Sequence, residues 1–163
     1  MKVGVMGCGV ISRAYVENAS AFESFELVAC ADLDLNMAEA LAKASGLAVA
    51  GVDELIADPS IDVILNLTPP LAHSAITSQA LAAGKHVYTE KPLATDEFEA
   101  AALAREAAGL GLRIGCAPDI FLGSAYQAGR AAIDEGAIGD PLSVSAAMLV
   151  GGQETWHPNP DIF

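Results

Sequence analysis

Short apolar runs alternate with amphipathic segments along most of this chain. Lys2 to Met6, Phe25 to Ala31, Leu47 to Ala50, Ile61 to Leu67, His86 to Tyr88 and Leu112 to Cys116 read as buried strands. Between them the spacing predicts helices over Val10 to Ala19, Leu35 to Ser45, Leu71 to Ala83 and, from Thr95 or Asp96, to about Leu110. Leu35, Ala38, Leu41 and Ala42 recur at helical intervals, and Gly46 and Gly84 stand in stop positions. A small helix before Pro59 is expected to take Asp53 as its cap. With no adjacent hairpin pair, the strands call for right-handed crossovers and a parallel sheet covered on both faces. The expected fold class is α/β, a doubly wound parallel sheet ending near Pro118.

Residues 119–163 break that rhythm. Ser124 to Gly136 reads as a helix, Ile138 to Pro141 as a turn, Leu142 to Val150 as a strand of alternating character, and Gly151 to Pro160 as loop. One helix and one strand cannot enclose a core of their own. Residues 119–163 are therefore expected to be the start of an incomplete α+β domain, and the chain the front of a longer protein.

The first strand runs into Gly7-Cys8-Gly9-Val10-Ile11-Ser12, the pattern G-x-G-x-x-S. A strand turning sharply into a helix needs a residue free to adopt positive φ, and Gly7 supplies it. Gly9 lacks a Cβ, so its backbone can approach a bulky anion resting on the helix, where unpaired N–H groups and the macrodipole favour negative charge. Ser12 is small enough for close packing of helix on strand. Asp32 closes the second strand about 20 positions later, where a carboxylate accepts hydrogen bonds from a ribose and repels a 2′-phosphate. The pattern predicts a dinucleotide-binding Rossmann domain over 1–118, with Gly7, Gly9, Val10, Ile11 and Asp32 holding NAD in preference to NADP. A plainer reading makes the glycines a turn and Asp32 a cap for the helix beginning near Leu35.

Composition narrows the partners. Against 8 basic residues stand 21 acidic ones, a formal charge of −13, which argues against a nucleic-acid backbone. Although 53% of residues are hydrophobic, no apolar run approaches the roughly 18 residues of a membrane span. No credible leader precedes the folded pattern, so a soluble cytoplasmic protein is expected. Cys8, Cys30 and Cys116 lack C-x-x-C spacing and read as reduced packing thiols, Cys8 being oxidisable where cofactor is absent. The scattered His73, His86 and His157 assemble no metal site.

Ligands of such sheets lie beyond the carboxyl ends of the strands. Besides the glycine turn, two stretches arrive there. In Asn66-Leu67-Thr68-Pro69-Pro70-Leu71-Ala72-His73 the prolines stiffen the strand exit, leaving carbonyls and the Thr68 hydroxyl toward the cleft. His73 either reaches a ribose or nicotinamide edge or bonds nearby backbone at a helix start. In Thr89-Glu90-Lys91-Pro92-Leu93, a lysine at the mouth of an apolar strand is costly to bury unless something polar meets it. Lys91 is suited to hydrogen-bonding a substrate hydroxyl or carbonyl and to acid–base work, with Glu90 orienting it. Alternatively the two form an exposed ion pair of little energetic weight.

These motifs, with Ala83-Gly84-Lys85-His86-Val87-Tyr88 leading into Thr89 to Ala94, resemble the glucose-fructose oxidoreductase, inositol dehydrogenase and rhizopine-catabolism family over essentially the whole chain. The resemblance implies NAD(P)-dependent hydride transfer to or from a sugar, inositol or related polyol, with Lys91 and Glu90 catalytic. It also implies that Asn66, Thr68, Pro69, Pro70, His73, Glu90 and Lys91 line the cofactor, and that Lys91-Pro92 is cis. Relatives continue into a larger sheet with the substrate pocket, a further acid/base pair and usually a homo-oligomer interface. By itself the 163-residue piece is expected to bind NAD and to be essentially inactive. The alternative is a dinucleotide-sensing regulator of the same family.

Overall fold

The computed structural model describes residues 1–149 and 151–152. It divides into two units, residues 1–119 and 120–163. In the first unit, β1 (Lys2–Met6), β2 (Glu26–Ala31), β3 (Ala48–Val49), β4 (Val63–Asn66), β5 (His86–Thr89) and β6 (Ile114–Cys116) form one sheet in the order β3-β2-β1-β4-β5-β6. Every pairing is parallel. The connecting helices are α1 (Val10–Ala19), α2 (Leu35–Ser45), α3 (Val52–Ala57), α4 (His73–Ala82) and α5 (Glu97–Gly109).

Two apolar clusters sandwich the sheet, which is why its central strands read as unbroken apolar runs. One gathers Met6, Ile64 and Val87 with Leu55, Leu81, Leu103 and Ala107 of α3, α4 and α5. The other gathers Val3, Val5, Cys30 and Leu65 with Ala38 and Leu41 of α2, and Tyr15 and Val16 of α1.

The helix boundaries follow local chemistry. Asp34 caps α2 by accepting from the Asn36 N–H at 3.0 Å, and Gly46 ends it in the left-handed conformation. Asp96 caps α5 by accepting from Phe98 and Glu99. The small helix α3 corrects one expectation: Asp53 falls inside its first turn, Gly51 holds the cap position, and the Glu54 carboxylate reaches back to the Gly51 N–H. The helix after β4 also starts later than the spacing suggested, because Pro70–Ala72 form a single 3-10 turn before α4. At the opposite end of the sheet Lys85 is buried, its ammonium donating to the Asp58 and Ile61 carbonyls at 2.5 and 2.7 Å.

In the second unit, a 3-10 turn over Ile120–Leu122 precedes α6 (Ser124–Asp134). Leu142–Leu149, expected as a strand, carry no strand hydrogen bonding. A strand needs a ladder partner, and none stands beside it among the described residues. Val150 and the expected loop from Gln153 onward lie outside the described residues.

Candidate functional site

Register places the site. Met6 of β1 aligns with Ala31 and with Asn66, Asn66 with Thr89, and Thr89 with Cys116. The residues immediately beyond that level are Gly7, Asp32, Leu67-Thr68 and Glu90-Lys91. A parallel sheet thus brings all three chemically marked stretches to one carboxyl edge, where the strand order changes direction between β1 and β4.

Gly7 has φ +95°, and a Cβ there would stand 2.7 Å from the Leu67 carbonyl and Thr68 nitrogen. Its amide donates to the Ala31 carbonyl at 2.9 Å. Gly9 differs: a Cβ built on it meets nothing within 4 Å, so the space over the start of α1 is open. No side chain caps α1, in contrast to α2 and α5, which Asp34 and Asp96 cap, and its first turn holds no acidic residue. Val10 and Ile11 are exposed around that open end, while Ser12 is buried with its hydroxyl on the Gly9 carbonyl at 2.6 Å. Uncapped N–H groups beneath an open glycine suit an anionic ligand.

Asp32 does not cap the following helix, which is the work of Asp34. Its Oδ2 accepts from the Cys8 N–H at 2.7 Å and its Oδ1 from the Asp34 N–H at 2.9 Å. These bonds tie the second strand to the glycine turn and leave each oxygen a further lone pair. Cys8 is a buried free thiol, and burial pushes its pKa up to about 12. That thiol stays protonated near neutral pH and packs in the apolar cluster between sheet and helices, in line with a packing role.

The exit of β4 is closed on itself. Asn66 is fully buried. Its amide nitrogen donates to the His73 carbonyl and the Thr77 hydroxyl, and its Oδ1 accepts from the Thr68 N–H and hydroxyl. The Thr68 hydroxyl therefore turns onto Asn66 and away from a ligand. His73 is 1% exposed, with Nδ1 at 2.6 Å from the Pro92 carbonyl and Nε2 at 2.6 Å from the Thr68 carbonyl. Both ring nitrogens face backbone carbonyls, the arrangement of the second reading, a histidine bonded to nearby backbone at a helix start. The side chains of Asn66 and Thr68 are likewise committed, and Pro69 and Leu71 are the exposed residues of this turn.

Beyond β5, Glu90 is half-buried and Lys91 exposed. The expected Glu90–Lys91 ion pair is absent: the Glu90 carboxylate accepts from the Tyr15 hydroxyl at 2.8 Å and from the Lys91 backbone N–H at 3.0 Å. Among the described residues the Lys91 ammonium makes no hydrogen bond or ion pair, and the one salt bridge, Arg130–Asp134, lies on α6. Lys91-Pro92 is cis, as the resemblance implied, and Ala117-Pro118 is cis too. Tyr15 escaped sequence reading because it and Glu90 stand 75 residues apart. No cluster of metal-ligating side chains occurs among the described residues, and no described helix is long and apolar enough to cross a membrane.

The chain is similar in sequence and in fold to known proteins. The chain is 34% identical over 145 residues to the 1,5-anhydro-D-fructose reductase of Ensifer adhaerens, covering 86% of this chain and 43% of that protein. A putative myo-inositol dehydrogenase from Sinorhizobium meliloti superposes with a TM-score of 0.79 at 29% identity, over 85% of this chain and 42% of the other. A 3-ketoreductase from Actinomadura kijaniata, solved with NADP, gives 0.77 at 31% identity, over 86% and 45%. The chain thus spans less than half the length of these relatives. Residues 1–117 match the family described as an oxidoreductase family with an NAD-binding Rossmann fold. The chain belongs to the glucose-fructose oxidoreductase, inositol dehydrogenase and rhizopine-catabolism family of oxidoreductases.

Proposed function

We propose that this chain is the cofactor-binding part of a cytoplasmic, homo-oligomeric NAD-dependent oxidoreductase acting on a sugar, inositol or related polyol. The observation that carries the cofactor reading is the uncapped start of α1 beneath the open space over Gly9. A dinucleotide fits there, with its diphosphate on the N–H groups of Val10 and Ile11 and its adenosine ribose at Asp32. Two carboxylates, Asp32 and the exposed Asp34, disfavour a 2′-phosphate in that corner, although the Actinomadura relative was solved with NADP. Bound there, the nicotinamide supplies the hydride acceptor or donor. Asn66 and His73 contribute by stiffening the turns, Pro69 and Pro70 by walling the cleft.

Lys91 carries the chemistry this chain offers the substrate. An unpaired ammonium at the carboxyl edge can donate a hydrogen bond to the oxygen of the reacting carbon and offset charge that develops on it. That lysine also favours an enzyme over a dinucleotide-sensing regulator, which has no need of a proton-handling group. Free thiols at Cys8, Cys30 and Cys116 fit a reducing compartment.

NADH and NADPH fluorescence titrations of the wild-type chain and Asp32→Ala test the cofactor reading. Tighter NADH binding, with the gap narrowed by Asp32→Ala, is expected; tighter NADPH binding in the wild type would overturn it. In the complete protein Lys91→Met should abolish turnover and spare NAD affinity. Equal loss of both would reassign Lys91 to cofactor binding. Sedimentation of the complete protein checks the oligomer.

A further inference from the structure

Glu90 is held at every polar atom it has. Its N–H donates to the Asn66 carbonyl at 2.9 Å, and its own carbonyl faces the Cys116 thiol at 3.8 Å. Its two carboxylate oxygens take the Tyr15 hydroxyl and the Lys91 N–H. That geometry turns the carboxylate toward Tyr15 and the turn's backbone, and it makes no hydrogen bond or ion pair with the Lys91 ammonium.

Tyr15 is held in turn. Its ring meets Tyr88 of β5 edge-on, with centroids 6.5 Å apart and planes at 61°. Burial, and then the bond to Glu90, pushes its phenol far above the ordinary range, so it remains a donor at any working pH. The Tyr88 hydroxyl beside it is buried and makes no hydrogen bond among the described residues, so Tyr88 shapes the contact through its ring.

We propose that Tyr15 is a positioning residue: its hydroxyl fastens the Glu90 carboxylate to the Lys91 backbone N–H, making Glu90 a brace and leaving the Lys91 ammonium unpaired. This rests on the dehydrogenase reading for what the ammonium serves, and it replaces the idea that Glu90 orients the Lys91 ammonium directly. It has a mechanical corollary. Helix α1 offers its first turn to the diphosphate and, little more than a turn later, anchors the lysine-bearing turn of β5. One rigid element therefore sets the separation between cofactor anchor and reacting lysine.

The test reads the Lys91 amide in the 163-residue chain. Tyr15→Phe keeps the ring and deletes the donor. Amide hydrogen exchange at Lys91 should speed up about tenfold in Tyr15→Phe and in Glu90→Gln, with the amide proton resonance moving upfield in both. The double variant should show no additional acceleration, since both changes break one unit. Tyr88→Phe should leave the amide as it is. Unchanged exchange in Tyr15→Phe, or additive effects in the double variant, would overturn the proposal. Should Tyr15→Phe fail to fold, an unchanged Lys91 amide in Glu90→Gln overturns it equally.

In the complete protein the brace predicts a kcat about tenfold lower for Tyr15→Phe, at unchanged NAD affinity and an unshifted pH profile. A limb of that profile lost in Glu90→Gln would make Glu90 the acid or base and sink the brace. NADH titration of the same samples separates the two readings: a wild-type chain that binds no NADH removes the dehydrogenase, while the exchange data still decide the brace.

Discussion

The two halves of the carboxyl edge are built on opposite plans. On the β1–β2 side the polar groups are left open: α1 starts without a capping side chain, Gly9 stands under free space, and Asp32 keeps lone pairs to spare. On the β4–β5 side nearly everything is spent internally. Asn66 uses all of its side-chain donors and acceptors, His73 turns both ring nitrogens to backbone carbonyls, and each Glu90 oxygen takes a bond from within the fold, while the Lys91 ammonium has no partner among the described residues. Orphan donors at a helix start suit an anionic ligand, and the backbone that carries Lys91 is fixed by the bond from its N–H to Glu90. The first half is a receptor and the second a mount.

The sharpest way to break this contrast is at its glycines. Gly7→Ala puts a methyl group against backbone at a φ that L-residues avoid, and should cost about 3 kcal/mol or more in urea unfolding. Gly9→Ala, at φ −72° and in open space, should cost less than about 0.5 kcal/mol while weakening NADH binding at least about tenfold. Equal loss of stability in both would show that Gly9 serves the turn and not a ligand. Next comes the mount. Asn66→Ala leaves buried partners on Thr68, Thr77 and His73 unsatisfied and should cost about 2–4 kcal/mol, with lysine-dependent turnover falling further than NADH affinity.

A smaller effect follows from Cys8. Its unfolded thiol ionises near the ordinary 9.0, whereas the folded one keeps its proton to about 12. Between those values the native state binds more protons than the unfolded, so stability should fall as pH rises from 9 toward 12. Subtracting the urea-unfolding profile of Cys8→Ala isolates that contribution; a wild-type minus variant difference that stays flat across the window would refute it. The least effect is expected at Tyr88→Phe, which removes an unpartnered hydroxyl and should change stability by less than about 0.5 kcal/mol.

The receptor was far more legible in the sequence than the mount. Helices Val10–Ala19 and Leu35–Ser45 begin and end where their periodicity and Gly46 put them, because glycine turns and caps act over a few residues. The parallel, doubly wound character of the sheet, too, follows from alternation and crossover handedness. What escaped was long-range pairing. Nothing local tells that Asn66 will spend its amide on Thr77, that His73 will bridge Thr68 to Pro92, or that Tyr15 will claim Glu90. The motifs marked the stretches that reach the carboxyl edge, while which of their side chains bond each other depends on contacts far apart in the chain. Leu142–Leu149 failed differently: alternation marks a segment able to pair, and pairing needs a neighbour.

The level alignment of Met6, Asn66 and Thr89 also limits how such a protein can diversify. Because neighbours along a strand point to opposite sides, adding or deleting one residue within His86–Thr89 would rotate Lys91 to the other side of the layer and strand Glu90 away from Tyr15. Substitution is thus the open evolutionary route at this rim, while length variation is confined to connections at the far ends of the helices.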